Sequence, residues 1–143
     1  QPNFLLDYNY ADRLGERVKV MCPHEAMFAS GIPIILGTDG MPDSLLYAMY
    51  MGTHAALPSQ RISLKDAFFA AGPAAAIYEN DDRGFLREGQ KADLIAADKS
   101  LINELAVPEN PDGKYDFMKM FELEGAIKKV FKNGKQVYPK KKS

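Results

Sequence analysis

The sequence predicts an α/β protein, and three features along the chain support this prediction. The apolar run Ile32–Leu36 has the near-continuous aliphatic character of a strand covered on both faces, as in parallel sheets. Helix signals follow it, with Asp43 or Ser44 placed to cap one helix and Ser63 to cap the next. Near the C-terminus, Asn133-Gly134 joins two short strand patterns and is a strong hairpin signal. Strand-and-helix units therefore come first, and antiparallel strands come last.

Prolines, glycines and changes of sequence pattern predict the bounds of the remaining elements. Pro23 is placed at the start of a short helix, and Gly31 is placed to end it. A Leu/Met stripe after Ser44 is interpreted as core packing, and Leu101 to Lys119 is interpreted as a loop-rich excursion. A change of pattern near residues 80–83 divides the chain into two predicted domains, 1–80 and 81–143. The predicted strands of the second domain are Ala92 to Ala97, Ala126 to Phe131 and Gln136 to Tyr138.

Composition excludes several classes of function. The formal net charge of −1 provides no field to attract nucleic acid or an anionic membrane, so neither is expected as a partner. The Lys140-Lys141-Lys142 run at the chain end is interpreted as a solvated terminus. Cys22 is the only cysteine, which excludes an internal disulfide and favours a reducing, cytoplasmic compartment. No apolar run is long enough to span a bilayer.

The candidate functional residue is Asp39, which follows the apolar run and is itself followed by Gly40. The carboxyl ends of strands in α/β folds are where chemistry occurs, and a carboxylate there needs a partner or a purpose. Aspartate is also a favoured turn and cap residue, so a purely structural role for Asp39 stays open at this point. Both histidines, His24 and His54, lie at predicted helix ends and are interpreted as helix-end or surface residues rather than ligands.

Other acidic and thiol groups are given structural interpretations. Asp93 is expected to be a structural acid in the turn before a strand. Asp81-Asp82 and Asp112 have no calcium-loop spacing and are expected in solvated turns. Cys22 has no evident basic partner, so a buried and inert thiol is expected.

Several of these patterns, in this order, resemble the metal-dependent amidohydrolases. Gly-Thr-Asp-Gly at 37–40 resembles the end of the eighth barrel strand of that family, and Ser63 to Ile77 resembles the helix pair after it. Gly84 to Ile95 is similar to the family's G-x-L-x-x-G-x-x-A-D-L signature, and Val130 to Tyr138 resembles its closing hairpin. The N-terminal segments Gln1 to Phe4 and Leu14 to Arg17 resemble the exit from the seventh strand in the amidohydrolase-3, YtcJ-like branch.

The resemblance implies the C-terminal part of a (β/α)8 barrel together with part of a small β-sandwich. Enzymes of this family hydrolyse amide and other C–N bonds with water activated by one or two divalent metals, zinc being favoured here. Asp39 matches the aspartate that touches the metal or its water and moves the proton, and Met41 and Pro42 would lie on the substrate-side loop. The family's other ligands, including a His-x-His pair, are missing from this chain.

That departure leads to two expectations. One is a fragment of an amidohydrolase that binds no metal tightly and is inactive alone, while the parent acts on a small amide or N-acyl substrate. The fragment would self-associate or contact the missing N-terminal barrel, because a single strand-and-helix unit leaves apolar surface uncovered. The alternative is a non-catalytic structural or interaction module derived from the same region.

Overall fold

Capping side chains set the boundaries of the main helices. The computed structural model describes residues 13–40, 43–106 and 116–139. Ser44 Oγ accepts a hydrogen bond from the Tyr47 amide at 3.2 Å, and Ser63 Oγ accepts one from the Asp66 amide at 3.1 Å. Both serines therefore act as the predicted N-caps. The helices of the described residues are α1 His24–Ala29, α2 Leu45–Thr53, α3 Leu64–Ala71, α4 Pro73–Glu79, α5 Ser100–Ala106 and α6 Met118–Gly125, with 3-10 turns at Gly15–Val20 and Pro58–Gln60.

Helix α2 lies at the centre of the core. Every residue from Tyr47 to Thr53 is buried, so the helix is covered on all sides rather than along the predicted Leu/Met stripe alone. It packs against α3, α5 and α6. The core cluster accordingly draws side chains from both halves of the chain: Leu36, Tyr47, Ala48, Met49, Tyr50, Met51, Ile62, Ala67, Ala70, Leu101, Leu105 and Leu123.

The predicted strand at Ile32–Leu36 is not formed among the described residues. The segment has no regular secondary structure, and the prediction that both of its faces are covered is wrong: Ile32 is 66% and Ile35 43% exposed. Leu36 alone reaches the core, and its amide donates to the Ala70 carbonyl at 2.9 Å. A strand needs a hydrogen-bonding neighbour on at least one edge, and none of the described strands lies beside this segment.

The segment after residue 100 is more helical than predicted. Helix α5 occupies the start of the supposed loop-rich excursion, and α6 occupies its end, while residues 107–115 lie outside the described part of the chain. Leu101, Leu105 and Leu123 are buried against the α2 region. Proline and glycine between the two helices suggested a continuous loop, but the apolar spacing on each side was sufficient for a short helix. The division at residues 80–83 stays a prediction.

The C-terminal strands form an antiparallel sheet, as predicted. The sheet has three strands in the order β1-β2-β3, with bounds Leu94–Ala97, Ile127–Lys132 and Lys135–Tyr138. Leu94 pairs with Phe131, and Lys132 pairs with Lys135 across the turn. The turn residues Asn133 and Gly134 have φ of +51° and +74°, the left-handed conformation that a tight hairpin requires.

The backbone conformation and close packing of Gly84 explain why the signature has a glycine at this position. Its φ is +81°, and a Cβ placed there would approach Pro73 Cα to 2.9 Å and Ala76 Cβ to 3.0 Å. Only glycine therefore allows the chain to turn this tightly against α4 before it enters the sheet. In the described part of the chain, no helix has the length and apolar character needed to cross a bilayer.

Candidate functional site

Asp39 occupies a turn that directly follows the Ile32–Leu36 segment. Its φ is +56°, and that of Gly40 is +73°, so two successive residues adopt the left-handed conformation. The Gly40 amide donates to Thr38 Oγ1 at 3.3 Å, which tightens the turn. Positive φ is uncommon for a residue with a side chain, although aspartate tolerates it better than most. Such conformations concentrate at functional sites.

The Asp39 side chain is exposed and makes no stabilising polar contact among the described residues. It makes no hydrogen bond or ion pair with another described side chain or backbone group, and it does not cap α2, because Ser44 performs that role. An unpaired, solvated carboxylate can accept a proton or bind a cation. The functional role of Asp39 therefore stays a prediction. Met41 and Pro42, the predicted substrate-side residues, lie outside the described residues.

The two histidines are at helix ends, as expected, but they are buried rather than at the surface. His24 begins α1, is 7% exposed, and its Nδ1 lies 2.7 Å from the Gln60 carbonyl. Burial lowers the pKa of His24 against the opposing effect of that hydrogen bond. His54 ends α2, is 1% exposed, and stacks on Tyr50 with ring centroids 4.2 Å apart. Both imidazoles thus serve the packing of the fold.

The described residues do not form a metal centre by themselves. They contain no group of three or more His, Cys, Asp or Glu side chains positioned to share an ion. A catalytic zinc site takes about three protein ligands, and Asp39 is one carboxylate of the suitable type. The chain therefore fits a divalent metal as the source of a single donor. Further donors have to come from outside the described residues.

Two open apolar grooves flank the Ile32–Ile35 segment that leads to Asp39. One has a volume of about 520 Å³ and is lined by Met27, Ile32 and Ile35. The other, of about 280 Å³, is lined by Phe69 and Ile77 together with the same segment. The grooves have the dimensions and apolar character of surfaces that pack against neighbouring secondary structure.

A third cleft, of about 460 Å³, has a lining of mixed polar and apolar side chains, and two of its charged groups have partners within the fold. It is lined by Glu25, Arg61 and Asp66, among others. Arg61 donates from Nε to the Ala55 carbonyl at 2.5 Å and from a terminal nitrogen to the Ala56 carbonyl at 3.2 Å. The Asp66 carboxylate accepts from Ser63 Oγ at 2.6 Å. Arg61 and Asp66 are therefore used in structural contacts at this cleft.

The acidic groups before the sheet have structural partners. Asp93 accepts a hydrogen bond from the Asn133 amide at 2.6 Å, which ties the hairpin to the segment before β1. Asp81 pairs with Arg83 at 3.1 Å and with Lys91 at 3.2 Å. Desolvation by itself raises the pKa of Asp81. Hydrogen bonding to Lys91 and the charge of Arg83 outweigh it, so the pKa of Asp81 lies below its ordinary value. These carboxylates are neutralised within the protein, in agreement with their interpretation as turn residues; Asp112 lies outside the described residues.

The Cys22 thiol has no activating partner among the described groups. Its side chain is half-buried, and burial raises the pKa of the thiol. A raised pKa leaves little thiolate at neutral pH, which is typical of an inert cysteine.

Sequence reasoning missed the contacts that hold the far end of the Asp39 loop. Ser44 Oγ donates to Glu124 Oε1 at 2.5 Å, and Tyr47 Oη donates to the Asp116 carbonyl at 3.1 Å. The Tyr47 ring also lies 5.9 Å from the Phe117 ring. These partners are 69 to 80 positions apart in sequence and belong to a stretch without a recognised motif, so no local pattern could have revealed them.

One of three comparisons with known proteins found a match. A model of the amidohydrolase family, of the amidohydrolase-3 type, matches residues 1–138, which is nearly the whole chain. No curated protein matches, and no solved structure matches. The match spans the turn of Asp39, the glycine signature that begins at Gly84, and the closing hairpin. The chain belongs to the amidohydrolase-3 group of the amidohydrolase family.

Proposed function

We propose that this chain contributes the last strand-and-helix unit of a (β/α)8 barrel enzyme of the YtcJ-like branch, together with part of a β-sandwich. The enzyme hydrolyses the C–N bond of a small amide or N-acyl substrate, with Asp39 in its active site. The observation that carries the proposal is an exposed carboxylate, without a partner among the described residues, in a left-handed turn directly after an apolar segment, in a chain of this family.

The proposed role of Asp39 is proton transfer. A divalent metal, zinc by preference, supplies a water of lowered pKa and a polarised substrate carbonyl when it is bound. Asp39 would be one donor to such an ion, and it would accept the proton of the attacking water and pass it to the leaving nitrogen. An amide side chain cannot hold that proton, which is why the chemistry needs an acid at this position. Met41 and Pro42 are proposed to line the substrate side of the same loop.

The other metal donors are proposed to come from strands outside this chain. We call the assembly of this chain with those strands the complete enzyme. One donor does not hold a divalent ion tightly, so the isolated chain is expected to be inactive. The grooves on both sides of Ile32–Ile35 support the same proposal, because neighbouring barrel strands would fill them and bury the exposed isoleucines. Without those strands, self-association is expected to cover this surface.

Replacement of Asp39 tests the proposed function. In the complete enzyme, Asp39→Asn is expected to lower turnover of N-acetyl amino acids by roughly 10²–10⁴-fold, because proton transfer is lost while the side-chain volume is kept. Folding, followed by thermal melting, is expected to be unchanged, since Asp39 is exposed. Asp43→Asn is the matched control: Asp43 is also exposed, lies beyond the same turn, and is expected to keep normal turnover. Near-normal rates with Asp39→Asn would exclude the proton-transfer role.

The second candidate is a non-catalytic structural or interaction module. It is favoured by one observation, namely that the described residues contain no group of three or more His, Cys, Asp or Glu side chains that could hold a metal ion. Under this alternative, the complete protein binds no zinc in a dialysis assay. It also hydrolyses no N-acetyl amino acid, and Asp39→Asn changes neither property.

A further inference from the structure

We propose that the segment between α4 and β1 forms a salt-sensitive ionic latch that holds the three-stranded sheet on the end of α4. The latch consists of five charged residues: Asp81, Asp82, Arg83, Lys91 and Asp93. It lies where the sequence pattern predicts a division between two domains. The inference concerns how the two halves of the chain are joined, and it is independent of the function proposed for Asp39.

Backbone contacts bring the two ends of this segment together. After α4, the Asp81 amide donates to the Ala76 carbonyl at 2.9 Å, and Gly84 packs on the same helix so closely that a Cβ would not fit. At the other end, the Lys91 amide donates to the Asp82 carbonyl at 3.1 Å. The segment therefore forms a closed loop against α4, with its charged side chains near the point of closure.

Four ion pairs among the described residues connect those side chains. Lys91 Nζ lies 2.8 Å from Asp82 Oδ1 and 3.2 Å from Asp81 Oδ1. Arg83 lies between two carboxylates, with Nε 3.1 Å from Asp81 Oδ2 and a terminal nitrogen 3.5 Å from Asp93 Oδ2. Hydrogen bonds to Asp82 and Asp81 raise the pKa of Lys91, so its ammonium stays charged at neutral pH. Charges that act as a network contribute more than isolated surface pairs do.

Asp93 extends this network to the sheet. Its Oδ1 atom accepts a hydrogen bond from the Asn133 amide at 2.6 Å, while its Oδ2 atom faces Arg83. A hydrogen bond to a charged carboxylate is stronger than one between neutral groups. One carboxylate thus joins the turn between β2 and β3 to Arg83, and the pair of Arg83 with Asp81 continues the connection to the end of α4.

Partial exposure makes the latch sensitive to salt. The side chains of Arg83 and Lys91 are 40% and 42% exposed, so water and ions reach both cations. At 1 M salt the Debye length falls to about 3 Å, and exposed charges at the distances of these pairs are screened. The backbone hydrogen bonds of the sheet and helices do not depend on this attraction. The latch is therefore expected to loosen in about 1 M NaCl while both halves stay folded.

Amide hydrogen exchange in the 143-residue chain tests the latch. Arg83→Met keeps an unbranched side chain of similar length but removes its charge, so Asp93 loses the contact that ties it to α4. Exchange at the Lys91 and Asn133 amides is expected to be roughly fivefold faster than in wild type, because local opening no longer separates the ion pairs. Exchange at Tyr47, in the core helix α2, is expected to be unchanged.

Arg87→Met is the matched control. Arg87 belongs to the same segment, and its replacement removes the same charge, but its guanidinium lies over the Phe85 ring, 4.5 Å from the ring centroid. It forms no ion pair with a carboxylate of the described residues. Exchange at Lys91 and Asn133 is therefore expected to match wild type in Arg87→Met. In about 1 M NaCl, wild type and Arg87→Met are both expected to approach the exchange rates of Arg83→Met.

Two results would overturn the latch. One is equal exchange in Arg83→Met and Arg87→Met, and the other is exchange at Asn133 in wild type that salt does not accelerate. Arg83→Lys is a milder variant in case Arg83→Met does not fold: one ammonium replaces the forked guanidinium, so faster exchange than in wild type is expected, and wild-type exchange would count against the latch. Because none of these measurements depends on Asp39, the proposed function stands or falls on its own tests.

Discussion

Helix α2 and the Ile32–Ile35 segment are both apolar in sequence, yet they differ in how far their side chains are buried. From Tyr47 to Thr53, α2 is buried on every side, whereas Ile32 is 66% and Ile35 43% exposed. A helix satisfies its backbone internally and needs only side-chain partners, which α3, α5 and α6 supply. A strand also needs backbone partners on its edges. Apolar character alone therefore does not determine whether a segment is buried; that also depends on the partners its backbone finds.

The sharpest way to break this comparison is to place charge on the exposed segment. Ile32→Lys/Ile35→Lys is expected to leave the isolated chain folded and to reduce its self-association in sedimentation experiments. In the complete enzyme the same pair is expected to prevent folding, because two buried unpaired charges cost several kcal/mol each. Ile102→Lys, at an isoleucine of α5 that is 46% exposed, is the control and is expected to be tolerated in both settings. A complete enzyme that folds normally with both lysines would show that no strand covers this segment.

A smaller effect is expected from truncation within the core. Leu105 is fully buried beside α2, so Leu105→Ala is expected to lower the free energy of unfolding by about 2–5 kcal/mol. Ile35→Ala in the isolated chain is expected to cost less than about 1 kcal/mol, since much of that side chain is already in water. Urea unfolding of both variants measures the difference. Equal losses would mean that the two regions are equally covered.

The smallest expected effect is the pH dependence of folding stability that arises from His24. Burial lowers the pKa of His24 below its ordinary value of 6.5, so the unfolded chain binds a proton more readily than the folded chain. Stability from the neutral imidazole is therefore complete above pH 6.5 and declines as the pH falls below that value. His24→Asn keeps a donor near the Gln60 carbonyl and is expected to flatten this decline in urea titrations between about pH 5 and pH 7. An unchanged pH dependence in the variant would assign the effect to other groups.

Local chemistry made much of the fold predictable. Ser44 and Ser63 cap the helices that they were expected to cap, and Asn133-Gly134 forms the hairpin turn, because these signals act over a few residues. The strand predicted at Ile32–Leu36 is not formed, because none of the described strands lies beside this segment to pair with it. Helices α5 and α6 were missed because prolines and a glycine between them obscured two short apolar patterns.

The candidate site was likewise predictable from the sequence only in part. Asp39 could be chosen as a candidate from the apolar run and the glycines around it; its left-handed turn is observed, and its role stays a prediction. The burial of His24 and His54 was not foreseen, because a helix end does not reveal what packs over it. The attachment of Ser44 to Glu124 joins residues 80 positions apart, and nothing in a single sequence indicates such a contact.

The location of bound metal tests the central claim most directly. A crystal structure of the complete enzyme, with anomalous data collected at the zinc absorption edge, gives the distance from the Asp39 carboxylate to the ion. The account predicts about 2.0–2.2 Å for a direct ligand, or one intervening water. A zinc site elsewhere in the protein, with Asp39 more than about two water diameters away, would contradict the account.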